Sequence, residues 1–120
     1  MSILVVAAHP DDEVLGCGAS AAKWAEAGKE VHVVILAEGA TSRDSARNPE
    51  SRIEELSTLE KSAQSAGKIL GVTSVRLLNF PDNRMDSVDL LEVIKVVEEQ
   101  ILRVKPETVV THLAGDINID

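Results

Sequence analysis

The apolar positions of the chain fall into short unbroken runs separated by longer, periodic ones. Ile3-Leu4-Val5-Val6-Ala7 is the first run, and Val31 with Val33-Val34-Ile35-Leu36-Ala37 is the second. Val75, Leu77 and Leu78 form a third, and Thr108-Val109-Val110-Thr111 a fourth. Runs this short and β-branched predict strands at Ile3 to Ala7, Glu30 to Ala37, Ser74 to Leu78 and Thr108 to Thr111, the first of them covered on both faces. Between them lie helical patterns. Ala19 to Ala27 has helical composition and ends at Gly28, with Leu15-Gly16-Cys17-Gly18 predicted as a small-residue turn before it. Glu50 to Leu70 carries Ile53, Leu56, Ala63, Ala66 and Leu70 on one stripe, with Leu59 and Ile69 widening it. Ser87 to Val104 carries Leu90, Ile94, Val97 and Ile101, is capped by Asp86 or Ser87, and breaks at Lys105-Pro106.

Strand and helix alternate with short connections, which predicts βαβ units with right-handed crossovers. The expected architecture is an α/β, Rossmann-like three-layer fold with a mainly parallel sheet in the order 3-2-1-4. Strands 1 and 4 are then neighbours at the switch point, where such folds present ligands at the carboxyl ends of the strands. His9 and His112 leave those two strands at the same edge.

The first strand runs into His9-Pro10-Asp11-Asp12-Glu13. Three acids side by side repel one another unless a cation or a proton sits among them. Zinc accepts imidazole nitrogen and carboxylate oxygen, and His9 and Asp12, three residues apart around a proline, can reach one ion. Asp11 between them is then free to act as general base on a bound water. The competing reading is a calcium-like loop or a solvated turn, although calcium sites rarely include histidine.

Other polar positions have two readings each. Glu38, at the end of the second strand, either binds a sugar or ribose hydroxyl or is a solvated loop acid. Ser42 to Glu50 reads as a mobile polar loop, in which Arg43 and Arg47, or Arg52 after it, either grip a phosphate or are surface cations. Asn79 to Asp86 places Asp82, Asn83 and Arg84 at the His9 edge, suited to hydroxyls or a phosphate; the alternative is a Pro-Asp turn. Gly16 and Gly18 lack the third glycine of a dinucleotide loop and follow the acid cluster. His32 reads as a structural histidine and Trp24 as helix packing.

Composition narrows the class. A formal net charge of −8 argues against nucleic acid as a partner. The longest apolar runs are of strand length, which predicts no membrane span, and no signal peptide precedes the first strand. Cys17 is the single cysteine, so no internal disulfide forms, and a cytoplasmic location is expected. One tryptophan, one phenylalanine and no tyrosine leave an aliphatic core.

The Ala8-His9-Pro10-Asp11-Asp12-Glu13 segment closely resembles the opening motif of the PIG-L/LmbE-like zinc deacetylases. These include the sugar-lipid de-N-acetylases and the deacetylases of mycothiol and bacillithiol synthesis. The resemblance extends through Val14-Leu15-Gly16-Cys17-Gly18, Phe80-Pro81-Asp82-Asn83-Arg84, Thr111-His112 and Gly115-Asp116-Ile117-Asn118-Ile119-Asp120, and so covers the whole chain. It implies hydrolysis of the N-acetyl group of an N-acetylglucosamine-type amino sugar, with Zn2+ or another divalent cation as cofactor. His9 and Asp12 would be metal ligands and Asp11 the catalytic base. Glu13, Glu38, Asp82, Arg84, His112, Asn118 and Asp120 would support the site or touch substrate, with His112 or groups near Asn118 helping to bind the oxyanion.

The last family motif ends in Asp-His, and that histidine is the third zinc ligand. Here it is expected just beyond Asp120, and without it residues 1–120 alone are expected to hold metal more weakly and to be impaired as a catalyst. Some members also carry a histidine where Asn118 stands. Family members are longer, so residues 1–120 are expected to be one α/β domain forming the N-terminal part of a deacetylase, with the sheet truncated after its fourth strand. A small-molecule amino-sugar substrate and a homo-oligomer are the expected partners. The competing expectation is a non-catalytic α/β fragment that self-associates through its open sheet edge.

Overall fold

The computed structural model describes residues 1–39 and 53–120. The elements are β1 (Ser2–Ala7), α1 (Asp12–Glu26), β2 (Glu30–Ala37), α2 (Ile53–Leu70), β3 (Ser74–Phe80), a 3-10 turn (Met85–Ser87), α3 (Leu90–Val104) and β4 (Thr108–Val110). The strands form one parallel sheet in the order β3-β2-β1-β4, as the alternation of elements predicts. In register, Val5 lies beside Val33 on one side and Val110 on the other.

Successive side chains of a strand point to opposite faces, and the core divides accordingly. Val5, Ala7, Val31, Val33, Ile35 and Val75 pack with Ala21 of α1 and Ala63 of α2. Trp24 and Cys17 border that cluster. Leu4, Val6, Ala8, Val34 and Leu36 point the other way and pack with Val93, Val97 and Val104 of α3. Helices thus cover both faces, which is why the central strands carry no polar alternation.

Three helical expectations are corrected. Leu15 to Gly18 is helical, because α1 begins at Asp12; the small residues show instead as a kink at Cys17 (φ −144°, ψ 18°). On α2, Ile53 and Ile69 are exposed, and the buried positions are Ala63 and Gly67. A Cβ on Gly67 would stand 2.5 Å from Val75 Cγ2, so the glycine lets α2 lie close to β3. α3 starts at Leu90 rather than Ser87, with Asp89 at its N-cap; of the expected stripe, Leu90, Ile94 and Ile101 face outward while Val97 packs on the sheet. Valines on the adjacent stripe, shorter and β-branched, take the sheet side instead. The polar segment Ser42–Glu50, Arg52 and the first turn expected for the second helix lie outside the described residues.

The polar loops gather at the carboxyl edge. β1 delivers His9, β3 delivers Asp82, and β4 delivers His112 and the turn that follows it. Gly39, at the end of β2, has φ 83°, and a Cβ there would meet Pro10 Cδ at 2.6 Å. Only glycine lets the β2 exit pass so close to the His9-Pro10 turn.

Candidate active site at the carboxyl edge of the sheet

His9 is the centre of the cluster. Its Nε2 lies 2.8 Å from Asp120 Oδ2 and 3.4 Å from Asp82 Oδ1, while Nδ1 lies 3.4 Å from Asp12 Oδ2. Asp12 Oδ2 also accepts the His9 backbone N–H at 3.0 Å, which folds the His-Pro-Asp-Asp turn back on itself. The Asp120 carboxylate is completely buried and accepts the backbone N–H groups of Asn83 (2.6 Å) and Met85 (2.9 Å).

The last turn is built by alternation. Asn118 N–H donates to Asp116 Oδ1 and Asp120 N–H to Asn118 Oδ1, each at 2.9 Å. The Asn118 side-chain amide reaches Asn83 Oδ1 at the same distance. Ile117 and Ile119, the intervening residues, are exposed. A cleft of about 370 Å³ opens here, lined by His9, Asp12, His112, Asp116, Asn118 and Asp120 among others.

His112 belongs to this cleft with a defined orientation. Its Nε2 accepts the Ala8 backbone N–H at 2.9 Å and lies 3.5 Å from Asp12 Oδ2. A nitrogen that accepts is unprotonated, so in the neutral ring the hydrogen sits on Nδ1. Nδ1 faces Asp116 Oδ2 at 3.9 Å. Any hydrogen bond that His112 gives to a ligand therefore leaves from Nδ1.

Asp11 holds φ 107° at the N-cap of α1, a left-handed conformation that costs a non-glycine residue about 1–3 kcal/mol. Glu13, itself buried, stabilises it: Glu13 Oε2 accepts the Asp11 N–H at 3.0 Å. Burial pushes the Asp11 carboxyl above its ordinary value. The neighbouring charge of Asp12 and a hydrogen bond shared with it push the same way, and His9 opposes them. Glu13 is also raised, chiefly by burial, against the lowering effect of backbone N–H donors. Asp11 also borders a second, apolar hollow of about 320 Å³ with Pro10, Val14, Leu15 and Leu59.

The fold thus brings together His9, Asp12, Asp82, His112, Asn118 and Asp120, with Asp11 and Glu13 beside them. Asn83 contributes its amide and side chain, and Arg84, half-buried, closes a turn by donating its N–H to the Pro81 carbonyl. Glu38 is buried where β2 leaves the sheet, its N–H bonded to the Phe80 carbonyl at 3.0 Å. His32 lies at the opposite end of the strands, 2.7 Å from Ser74 Oγ. The amides of Ala8 and Met85 had no signal in the sequence, because backbone donors are invisible to residue type.

Among the described residues, His9, Asp82 and Asp120 place a donor atom each within 4.8 Å of one another, a nitrogen and oxygen set suited to a divalent cation. The pair His9 Nδ1 and Asp12 Oδ2 fits as well. Two metal bonds of about 2.05 Å at a tetrahedral angle set their donors about 3.3 Å apart, and these stand at 3.4 Å.

Comparison with known proteins gives the family. The family model described as PIG-L, GlcNAc-PI de-N-acetylase, matches residues 4–120. The chain belongs to the PIG-L family. An uncharacterized deacetylase of Escherichia coli K12, YaiS, is 36% identical over 109 residues, covering 89% of the chain and 52% of that protein. The N,N'-diacetylchitobiose deacetylase of Pyrococcus horikoshii superimposes with a TM-score of 0.76 at 26% identity, over 90% of this chain and 39% of its own. GalB of Pseudomonas putida KT2440, a 4-carboxy-2-hydroxymuconate hydratase, superimposes with a TM-score of 0.78 at 30% identity, over 98% of this chain and 50% of its own. This PIG-L chain therefore spans about half the length of these proteins or less.

Proposed function

We propose that this PIG-L chain carries the water-activating part of a metal-dependent N-deacetylase acting on an N-acetylglucosamine-type amino sugar. One observation carries the reading: His9 has a carboxylate against each ring nitrogen, with the raised carboxyl of Asp11 alongside. His9 and Asp12 would hold Zn2+ or another divalent cation, with a third ligand supplied just beyond Asp120. When bound, such a cation polarises the amide carbonyl and lowers the pKa of water at the site.

The protein's own groups do the rest. Asp11 takes a proton from the attacking water as oxygen adds to the amide carbon, and returns it to the nitrogen as the C–N bond breaks, releasing acetate and a free amine. Its raised pKa suits it to return the proton. The His112 Nδ1–H or the Asn118 amide would donate to the carbonyl oxygen as charge develops there. Asp82, Arg84 and Glu38 would hold sugar hydroxyls, while Glu13 keeps Asp11 in its strained geometry.

The test is acetate release from N-acetylglucosamine derivatives by the metal-loaded chain extended by the third ligand, a histidine after Asp120. Turnover is expected in the parent and not in Asp11→Asn with metal retained; an Asn variant of full activity removes Asp11 from the role of base. The likeness to GalB favours a second reading, water addition to an electron-poor carbon–carbon double bond. Hydration of a muconate-type acid without any acetate release selects that reading.

A further inference from the structure

We propose that Asp120 is a positioning residue: its buried carboxylate keeps the proton of His9 on Nε2, leaving Nδ1 as the bare nitrogen facing Asp12. A carboxylate with no exposed surface needs donors for its lone pairs. Asn83 N–H and Met85 N–H supply two of them, and backbone amides can only donate. The third contact, 2.8 Å to His9 Nε2, is a hydrogen-bond distance. With no hydrogen between them, two lone pairs would face each other at that separation, so the hydrogen belongs on Nε2. Asp82 Oδ1, 3.4 Å from the same nitrogen, adds negative charge that favours it there.

A neutral imidazole protonated at Nε2 is bare at Nδ1. That nitrogen stands 3.4 Å from Asp12 Oδ2, the spacing of two donors on one tetrahedral ion. Nε2 and Asp120 are closer than that and already share a proton. The two sides of the ring are thereby assigned: Asp12 on the ligand side, Asp120 on the anchoring side. The same carboxylate ties the 82–85 loop to the last turn, so one group fixes the ring and the cleft wall together. The metal consequence rests on the function proposed above, whereas the tautomer does not.

The experiment uses the 120-residue chain labelled with 15N at histidine, free of metal, at alkaline pH where the rings are neutral. The expected spectrum gives His9 as the Nε2–H tautomer. In Asp120→Asn the side-chain amide can donate to Nε2, and the population shifts towards Nδ1–H, while Asp82→Asn leaves Nε2–H dominant. A parent protein in which His9 is Nδ1–H, or keeps both protons, overturns the proposal even if Asp120→Asn fails to fold. Zinc titration gives the second measurement. A positioning role predicts affinity reduced about 10- to 100-fold in Asp120→Asn. Loss as complete as in His9→Ala would make Asp120 a ligand and overturn the assignment. If zinc binds neither the 120-residue chain nor a form with a histidine added after Asp120, while the tautomer is as expected, the metal-dependent function falls and the positioning role stands.

Discussion

Strain concentrates at Asp11, a non-glycine residue in a left-handed turn beside an imidazole and two other acids. Replacing it by glycine should relieve the turn, raising stability by about 1 kcal/mol, and, on the proposed function, should abolish acetate release. Denaturant midpoints paired with acetate release check both, and a destabilised Asp11→Gly would mean that the side chain holds the turn rather than opposing it. Glu13 makes a pH-dependent prediction. Its folded pKa is raised above the ordinary 4.5, so folding binds its proton more tightly. The stabilisation it gives is complete below the unfolded pKa and is lost as pH rises through the folded one. Glu13→Gln keeps an acceptor for the Asp11 N–H without the charge. In metal-free protein it should be more stable than the parent near neutrality, with the difference vanishing in acid. A difference independent of pH would exclude Glu13 as the titrating group.

At the scale of elements, two of the helical glycines, Gly67 and Gly16, make opposite predictions. An alanine methyl at Gly67 would press on Val75 Cγ2 at 2.5 Å and Val72 Cγ2 at 3.0 Å, and β-branched side chains cannot swing aside. Overpacking of this kind costs about 1–3 kcal/mol against a helix-propensity gain of about 1, so Gly67→Ala should lower the Tm. Gly16→Ala meets nothing within 4 Å and should raise it. Equal shifts of the same sign at both sites would show that packing against β3 does not decide.

β1 and β2 were legible because their buried runs are continuous, β3 and β4 because short apolar segments follow each helix stop, and the order 3-2-1-4 followed from the connections. The start of α1 was not: Asp-Asp-Glu and two glycines read as loop, yet Asp12 and Glu13 sit in the first turn, where the helix dipole favours acids. The face of α3 was misread because that helix is apolar on two adjacent stripes, and propensity cannot say which one meets the sheet. In the site, the His-Pro-Asp-Asp turn was local and therefore readable. Which ring nitrogen meets which carboxylate depends on tertiary contacts between Asp82, Asp120 and His9, which spacing along the chain does not encode.

Over the whole molecule, apolar surface remains open. Leu90, Leu102 and Leu113 are each more than 70% exposed, Ile117 fully so, and β4 pairs on one side alone among the described residues. Self-association of the chain is the expected outcome, read as a light-scattering mass that rises with concentration and falls in a Leu113→Glu, Ile117→Glu double variant. A strict monomer at all concentrations would refute it. No helix among the described residues is long and apolar enough to cross a membrane. On the proposed function, chelation should abolish acetate release and zinc should restore it once the third ligand is present, with a Tm that rises with metal concentration as binding to the folded state alone requires. A Tm indifferent to zinc and to chelator would leave the cluster without a cation to hold.

His9 and Asp120 are 111 positions apart, so the anchoring of the ring waits until the fourth strand has docked beside the first. A chain still emerging from the ribosome offers passing cations little more than a histidine and an aspartate on a loose turn. On the proposed function, a cation would meet the oriented ring, and with it a selective site, in the folded chain alone.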